Sequence, residues 1–169
     1  SFDGPAAAQD FRGRGSFAVL DRLLEELRKK HPVFFRRNLN IVITLAPYTI
    51  SYLSDSVDYF INKGAGVISI SPVITHDPAW RDDGIEELEN QFELILERSL
   101  SHLEETGEIP LRLFQDKHGD SESFRENRDM CGAASGLGLV VDVDGRGCGC
   151  SVFAESYQRY DSPFAGKCM

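Results

Sequence analysis

The sequence predicts an α/β fold with parallel strands, followed by a small β-hairpin unit that contains cysteines. Three observations carry this prediction. Two short runs rich in β-branched residues, LNIVITLAP (39–47) and VISISPV (67–73), alternate with amphipathic segments of helical periodicity. Such alternation is typical of βαβ units, which cross over right-handed and build a parallel sheet. Near the end of the chain, Asp144-Gly145 between two apolar runs indicates a hairpin.

Two helices are expected around the first strand, because apolar residues recur there at three- and four-residue spacing. The first helix follows a cap at Ser16 and ends just before Pro32. The second follows a cap at Thr49 or Ser51 and ends at Gly64. Each helix would pack its apolar stripe on the sheet.

The remaining elements of the first part of the chain are a long helix, a short strand and a loop. The helix begins near Asp82 or Asp83 and ends near Gly107. Residues 111–114 are expected to form one more short strand. The opening segment DGPAAAQDFRGRG (3–15) is expected to be an exposed loop, because it is rich in glycine and arginine and contains a proline.

About three βα units are therefore present, and they would form either a small open sheet or an arc of a larger barrel whose other strands precede Ser1. The nearly continuous apolarity of 39–47 predicts a strand covered on both faces. The polar stretch that follows the last helix separates two kinds of structure. We place the boundary between residues 1–127, which are parallel α/β, and residues 128–169, which carry the hairpin.

The charge and hydropathy of the chain exclude several classes of protein. A net charge of −9 argues against general nucleic-acid or anionic-membrane binding, which needs clustered cations. No apolar run approaches the roughly 20 residues that span a bilayer, and no signal peptide opens the chain. A soluble, cytoplasmic protein is expected. One local group of cations is interpreted as a solvated helix end and loop: Arg28, Lys29, Lys30, Arg36 and Arg37.

Three of the four cysteines lie in one glycine-rich stretch around the hairpin, at Cys131, Cys148 and Cys150. Soft thiolates brought together by a turn are suitable ligands for an iron-sulfur cluster or for zinc. Two or three thiolates do not complete a four-ligand site. The four histidines show no metal-ligand spacing, which makes a zinc finger a weak interpretation.

A second candidate site follows from the predicted topology, because ligands of parallel α/β folds bind at the carboxyl ends of the strands. Arg12 and Arg14 in the first loop would offer a guanidinium fork to a carboxylate. The polar side chains expected at this edge of the sheet are Ser1, Asp3, Thr44, Ser69, Ser71, Thr75 and His76.

These segments together resemble the radical S-adenosylmethionine enzymes of the SPASM type, which include sulfatase maturases and peptide-modifying maturases. The opening of the chain resembles the fourth strand, loop and helix of their barrel, through SFDGPAAAQD, then Arg12, then GSFAVLDRLLEEL. A later segment resembles the fifth strand, its helix and the sixth strand of the barrel: ITLAPYTISYLSDSVDYFINKGAGVISISPVI. The spacing of Cys131, Gly145 and Cys150 is similar to the first half of the SPASM cysteine pattern.

The resemblance implies a partial TIM-like barrel that binds S-adenosylmethionine and a catalytic [4Fe-4S] cluster, followed by a domain for auxiliary clusters. Reductive cleavage of S-adenosylmethionine would produce a 5′-deoxyadenosyl radical that abstracts hydrogen from a peptide or protein substrate. An electron donor such as flavodoxin or ferredoxin would supply the electron. The chain would then be a segment of a radical oxidoreductase.

The resemblance also implies roles for individual residues. Ser1 would contact the amino-acid moiety of S-adenosylmethionine, and Arg12 or Arg14 would pair with its carboxylate. Residues near Thr44 and the range from Ile70 to Val73, which includes Ser71, would line the adenosine pocket. The thiolates of Cys131 and Cys150 would ligate an auxiliary [4Fe-4S] cluster, with Cys148 replacing or joining Cys150.

The chain departs from the family pattern in two respects. The CxxxCxxC loop of the catalytic cluster is absent and would precede Ser1, so the chain alone is expected to be inactive. Ser151 stands where sulfatase maturases have aspartate. The alternative function is a non-enzymatic metal-binding or interaction module, with zinc or a shared cluster at the hairpin cysteines. A half-barrel would leave apolar sheet surface uncovered, which predicts self-association.

Overall fold

The computed structural model describes residues 2–73, 77–80, 83–115, 138–142 and 144–154. The described residues fall in two compact units, of which the first extends to Gln115 and the second begins after it. None of the helices among these residues is long and apolar enough to cross a bilayer.

The first unit is a mixed α/β structure in which helices precede, connect and follow two strands. Its elements in chain order are α1 (Ala6–Arg12), α2 (Phe17–Lys30), α3 (Pro32–Arg37), β1 (Asn40–Leu45), a 3₁₀ turn (Pro47–Tyr52), α4 (Leu53–Asn62), β2 (Val67–Pro72) and α5 (Asp83–Thr106).

The two strands of the first unit are parallel, as predicted. They pair without offset from Asn40 opposite Val67 to Leu45 opposite Pro72. Leu111 adds one parallel bridge to Ile68 on the other side of β2. The predicted strand at 111–114 is thus reduced to a single bridge, because the chain turns immediately after Leu111. The described residues form no closed barrel.

Only one face of the sheet is buried within the described part of the chain. Ile41, Ile43 and Leu45 alternate with exposed or half-buried neighbours, and Val42 is 43% exposed. The prediction that β1 is covered on both faces is therefore wrong for the described residues. The helices pack against the face of Ile43, and the core is formed by Leu24, Phe35, Ile41, Ile43, Leu45, Ile50, Leu53, Val57, Phe60, Ile61, Ala65, Ile68, Ile95 and Leu111.

The observed ends of α4 agree with the predicted C-terminal signal and differ from the predicted N-terminal cap. α4 ends before Gly64, whose φ of 79° is favourable only for glycine, as predicted. The predicted cap at Thr49 or Ser51 is wrong, because a 3₁₀ turn precedes α4 and the helix begins at Leu53. Thr49 instead closes this turn, since its Oγ1 accepts the N–H of Ala46 at 2.9 Å.

Two helices near the ends of α2 were not predicted. Residues 3–15 are not a loop, because α1 occupies Ala6–Arg12 and starts directly after Pro5. The three consecutive alanines have the highest helix propensity, which outweighs the flanking glycines. α3 occupies Pro32–Arg37 and begins with proline at its first position. The cations interpreted as a helix end and loop therefore lie on two helices.

The second unit contains the predicted hairpin. β3 (Val140–Val141) and β4 (Gly147–Cys148) are antiparallel, and a 3₁₀ turn (Ser151–Phe153) follows. The connection is longer than the predicted two residues. The N–H of Asp142 donates to the carbonyl of Arg146 at 2.8 Å, so three residues intervene, and Gly145 adopts a φ of 84°.

Candidate functional site

A buried aspartate holds an arginine and a strand end together at the carboxyl edge of the parallel sheet. Asp3 is only 5% exposed. Its Oδ2 accepts the Nε–H of Arg12 at 2.9 Å, and its Oδ1 accepts the backbone N–H of Thr44 at 3.0 Å. Arg12 also donates from Nη2 to the Thr44 hydroxyl. These bonds place a guanidinium beside the last residues of β1.

The Asp3–Arg12–Thr44 cluster forms part of the wall of a cavity of about 250 Å³. The aromatic rings of Phe11 and Tyr48 lie against each other with their centroids 5.2 Å apart. The full lining is Asp3, Phe11, Arg12, Thr44, Ala46, Tyr48, Thr49 and Val73. The cavity thus combines one guanidinium paired with a carboxylate, hydroxyls and aromatic surface, which is a typical composition for a small-molecule site.

Local structure explains why Arg12 and Asp3 meet. Arg12 lies in the last turn of α1, where a cation is favoured by the helix dipole. Asp3 is followed by Gly4, whose φ is 141° and where a Cβ would lie 2.1 Å from the Ser56 hydroxyl oxygen. Only glycine therefore allows the backbone after Asp3 to pass this close to α4.

The predicted ligand residues have different positions in the structure. Arg12 and Thr44 are in direct contact, whereas Arg14 is exposed and does not line the cavity. Ser71 lies opposite Thr44 in the sheet but is exposed and also does not line it. Ser1 lies outside the described residues, as do Thr75 and His76 of the wider polar group.

Sequence reasoning missed three residues of this cavity: Phe11, Tyr48 and Thr49. Phe11 was not recognised because its segment was interpreted as a loop, whereas in α1 it lies one position before Arg12. Tyr48 and Thr49 directly follow Pro47, so their position just after a strand was the available signal.

The described cysteines are both free thiols. Cys148 and Cys150 are partly exposed, and the Cys148 thiol lies 3.1 Å from the carbonyl oxygen of Cys150. Cys131 lies outside the described residues. Within the described ranges, no group of three or more His, Cys, Asp or Glu side chains is arranged to hold a metal ion. Thiols are the correct donor type for a cluster or for zinc, but two of them do not complete a site.

A second polar cluster joins α2 to α4. Lys63 Nζ lies 2.6 Å from Asp21 Oδ1 and 2.9 Å from Glu25 Oε1. The Tyr59 hydroxyl donates to the same Asp21 oxygen. An open cavity of about 530 Å³ lies beside this cluster, lined by Pro5, Glu25, Asp55, Asp58, Tyr59, Asn62 and Lys63.

The electrostatics of this cluster indicate a structural role. Hydrogen bonds from Lys63 lower the pKa of Asp21 and of Glu25. Burial opposes the charge of Lys63, but its bonds to both carboxylates outweigh burial and raise its pKa. Burial and the bond to Asp21 raise the pKa of Tyr59. Near neutral pH, Lys63 therefore stays charged and Tyr59 protonated, so neither is prepared to accept a proton.

Replacing Lys63 by methionine is expected to lower the free energy of unfolding by about 1 kcal/mol at pH 7, because two charge-assisted bonds are lost. In the wild type, the lowered pKa of Asp21 and of Glu25 contributes stability above about pH 4.3, which is lost as pH falls through their folded pKa values. The raised pKa of Lys63 contributes stability below about pH 10.4, which is lost as pH rises.

Urea unfolding followed by circular dichroism from pH 3 to pH 11 measures this effect. Lys63→Met should reduce the loss of stability in acid, because the carboxylates no longer gain from the cation. Lys30→Met is the matched control, since Lys30 pairs with Glu26 at 3.1 Å on an exposed helix surface. It should change stability by less than about 0.5 kcal/mol. Equal losses in the two variants would contradict the role of the Lys63 cluster.

No family model, no curated protein and no solved structure matches the chain.

Proposed function

We propose that this chain is a segment of a radical S-adenosylmethionine/SPASM oxidoreductase, which generates a 5′-deoxyadenosyl radical to modify a peptide or protein. One structural observation carries the proposal. Arg12, held by Asp3 and Thr44, lines a cavity at the carboxyl end of two parallel strands. This is the edge at which parallel α/β folds bind ligands. The resemblance of the strand and helix segments to the family supports the same assignment.

The residues of the cavity fit one end of S-adenosylmethionine. A volume of about 250 Å³ is below the roughly 300–1,000 Å³ of pockets that enclose a whole ligand, so the cavity suits the amino-acid end. Arginine has five N–H donors, of which Asp3 and Thr44 engage two. The others are suited to the carboxylate of the cofactor. The adenosine would extend along the open sheet face, where Thr44 and Ser71 are neighbours.

In this proposal, the residues of the chain bind and orient the cofactor. S-adenosylmethionine and the catalytic cluster supply the radical when bound. Arg12 donates its remaining N–H groups to the carboxylate, Asp3 keeps the guanidinium in place, and Phe11 with Tyr48 forms the aromatic wall of the cavity. The CxxxCxxC motif is not part of this sequence, so we do not expect the reaction from this chain alone.

We also propose a role for the cysteines, partners for the chain and a cellular location. Cys131 and Cys150, with Cys148 as a substitute or third thiolate, would hold an auxiliary [4Fe-4S] cluster. The substrate would be a peptide or protein, and flavodoxin or ferredoxin would donate electrons in the cytoplasm. The net charge of −9 supports the absence of nucleic-acid and membrane partners. Self-association through the open sheet face remains a prediction.

Titration of the purified chain with S-adenosylhomocysteine tests the cavity without requiring the cluster. The wild type should bind this analogue saturably in isothermal titration calorimetry. Arg12→Lys keeps the charge but removes the planar fork, so we expect affinity to fall about tenfold or more. Arg14→Ala is the matched control from the same segment and should bind like the wild type.

Two results would overturn the assignment. The first is a wild-type chain that shows no saturable binding of S-adenosylhomocysteine although circular dichroism shows it to be folded. The second is an Arg14→Ala variant that loses as much affinity as Arg12→Lys, because the position of Arg12 in the cavity would then not matter.

A further inference from the structure

The buried amide of Gln9 is bonded at both ends to the framework of the Arg12 cavity. Gln9 lies in α1 and is only 1% exposed. Its Oε1 accepts the backbone N–H of Asp3 at 2.8 Å, and its Nε2 donates to the Ser16 hydroxyl at 3.0 Å. The Ser16 hydroxyl in turn donates to the carbonyl of Gly13 at 2.5 Å. One side chain thus connects the segment before α1 with the turn after it.

These bonds connect Gln9 to the guanidinium of Arg12 through Asp3. The bond from Gln9 holds the backbone of Asp3, and the position of this backbone determines where the Asp3 carboxylate lies. That carboxylate holds Arg12 through its Nε and the end of β1 through the N–H of Thr44. Gln9 does not line the cavity itself. Its effect on a ligand would therefore pass through Asp3 and Arg12.

The choice of a polar residue at this buried position supports such a role. An apolar side chain would fill the inner face of α1 without burying a polar amide. Burying an amide costs free energy, and this cost is offset only when the amide has hydrogen-bond partners. In Gln9 the amide is bonded at both its oxygen and its nitrogen. Bonds of this kind favour one arrangement of the connected segments over alternatives.

We propose that Gln9 is a positioning residue that sets the geometry of Arg12 toward the carboxylate of an α-amino-acid group on the ligand. The inference rests on the proposed function, in which the cavity takes the amino-acid end of S-adenosylmethionine. It assigns selectivity for that end of the ligand to a residue that does not contact the ligand.

The test compares two ligands on Gln9→Met, which keeps the length of the side chain and removes its hydrogen bonds. S-adenosylhomocysteine carries the amino-acid end, and 5′-methylthioadenosine carries the same nucleoside without it. Affinity for S-adenosylhomocysteine should fall about tenfold, equivalent to about 1.4 kcal/mol, while affinity for 5′-methylthioadenosine stays unchanged. An equal loss for both ligands, or no loss for either, would overturn the inference.

Gln91→Met is the matched control. Gln91 is also buried, accepts the backbone N–H of Ser54 at 2.9 Å and donates to Glu87 at 3.0 Å. Unlike Asp3, the partner of Gln9, neither Ser54 nor Glu87 lines the Arg12 cavity. It should bind both ligands like the wild type. If Gln9→Met does not fold, Ser16→Ala decides by the same criteria. It removes the bonds of the Ser16 hydroxyl to Gln9 and to Gly13 but keeps the bond between Gln9 and Asp3, so it should show a smaller loss with the same selectivity.

A measurement without ligand separates failure of this inference from failure of the proposed function. Solvent exchange of the Arg12 Nε–H, followed by NMR, should accelerate about tenfold in Gln9→Met, while the Nε–H of Arg98, bonded to Asp58 at 2.5 Å, stays unchanged. If the wild type binds no S-adenosylhomocysteine, the proposed function fails and the exchange rates alone decide the role of Gln9. Unchanged Arg12 exchange would refute that role.

Discussion

Replacing Phe60 by alanine is expected to lower the free energy of unfolding by about 3–5 kcal/mol, the largest effect that we predict for a single side chain. Phe60 is 0% exposed and lies in α4 against the buried face of the sheet. Its ring makes edge contacts with Phe2 at 5.2 Å and with Tyr59 at 5.0 Å between centroids. Alanine would leave a cavity where these rings now meet.

Phe34→Ala is the matched control for this loss, because it removes the same atoms from a residue that is 49% exposed. We expect it to change stability by about 0.5 kcal/mol or less. Urea unfolding followed by circular dichroism measures both variants. Similar losses in the two variants would show that the packing around Phe60 is not as described. A Phe60→Ala chain that is already unfolded without denaturant agrees with the prediction, since domains have only about 5–15 kcal/mol to lose.

The second large effect is expected at Gly66, the residue that precedes β2. A Cβ at this position would lie 1.8 Å from the carbonyl oxygen of Arg36, at the end of α3. This atom belongs to the backbone, so it cannot move aside as a flexible side chain would. Gly66→Ala should therefore displace α3 from the start of β2 and cost about 3 kcal/mol, at the upper end of overpacking effects.

Gly84→Ala is the matched control for Gly66→Ala. A Cβ there would lie 3.6 Å from Ile50 Cδ1, an ordinary contact. Gly84 lies in α5, where alanine has the better helix propensity, so we expect no loss and a gain of up to about 1 kcal/mol. Thermal unfolding measures both variants. A Gly66→Ala protein as stable as the wild type would refute the close approach of α3 to β2.

The hydrophobic pattern was sufficient for the main elements of the first unit. The β-branched runs predicted two parallel strands, and the apolar periodicities predicted α2, α4 and α5. Glycine marked helix ends correctly at Gly64 and Gly107, where φ is 79° and 75°. These signals are local: a helix stripe or a left-handed residue depends on its own neighbours in the chain.

The sequence prediction was wrong at α1 and at β1. The glycines around α1 suggested a loop, but the helix propensity of three alanines and the burial of Ala8 and Gln9 together stabilise a helix there. The apolarity of β1 suggested a strand covered on both faces. Which elements lie over a strand is not encoded in the strand itself, and within the described residues Val42 lies on an open face.

The sequence by itself determined the α/β class, the order of strands and helices and the edge of the sheet at which polar residues gather. It favoured Arg12 and left Arg14 as a competing candidate, since both arginines lie in one segment. Only the tertiary structure decided which of them lies beside Asp3 and Thr44. The physical reason is that Asp3 and Thr44 are separated by about forty residues in the chain, and packing of α1 against the end of β1 brings them into hydrogen-bond contact.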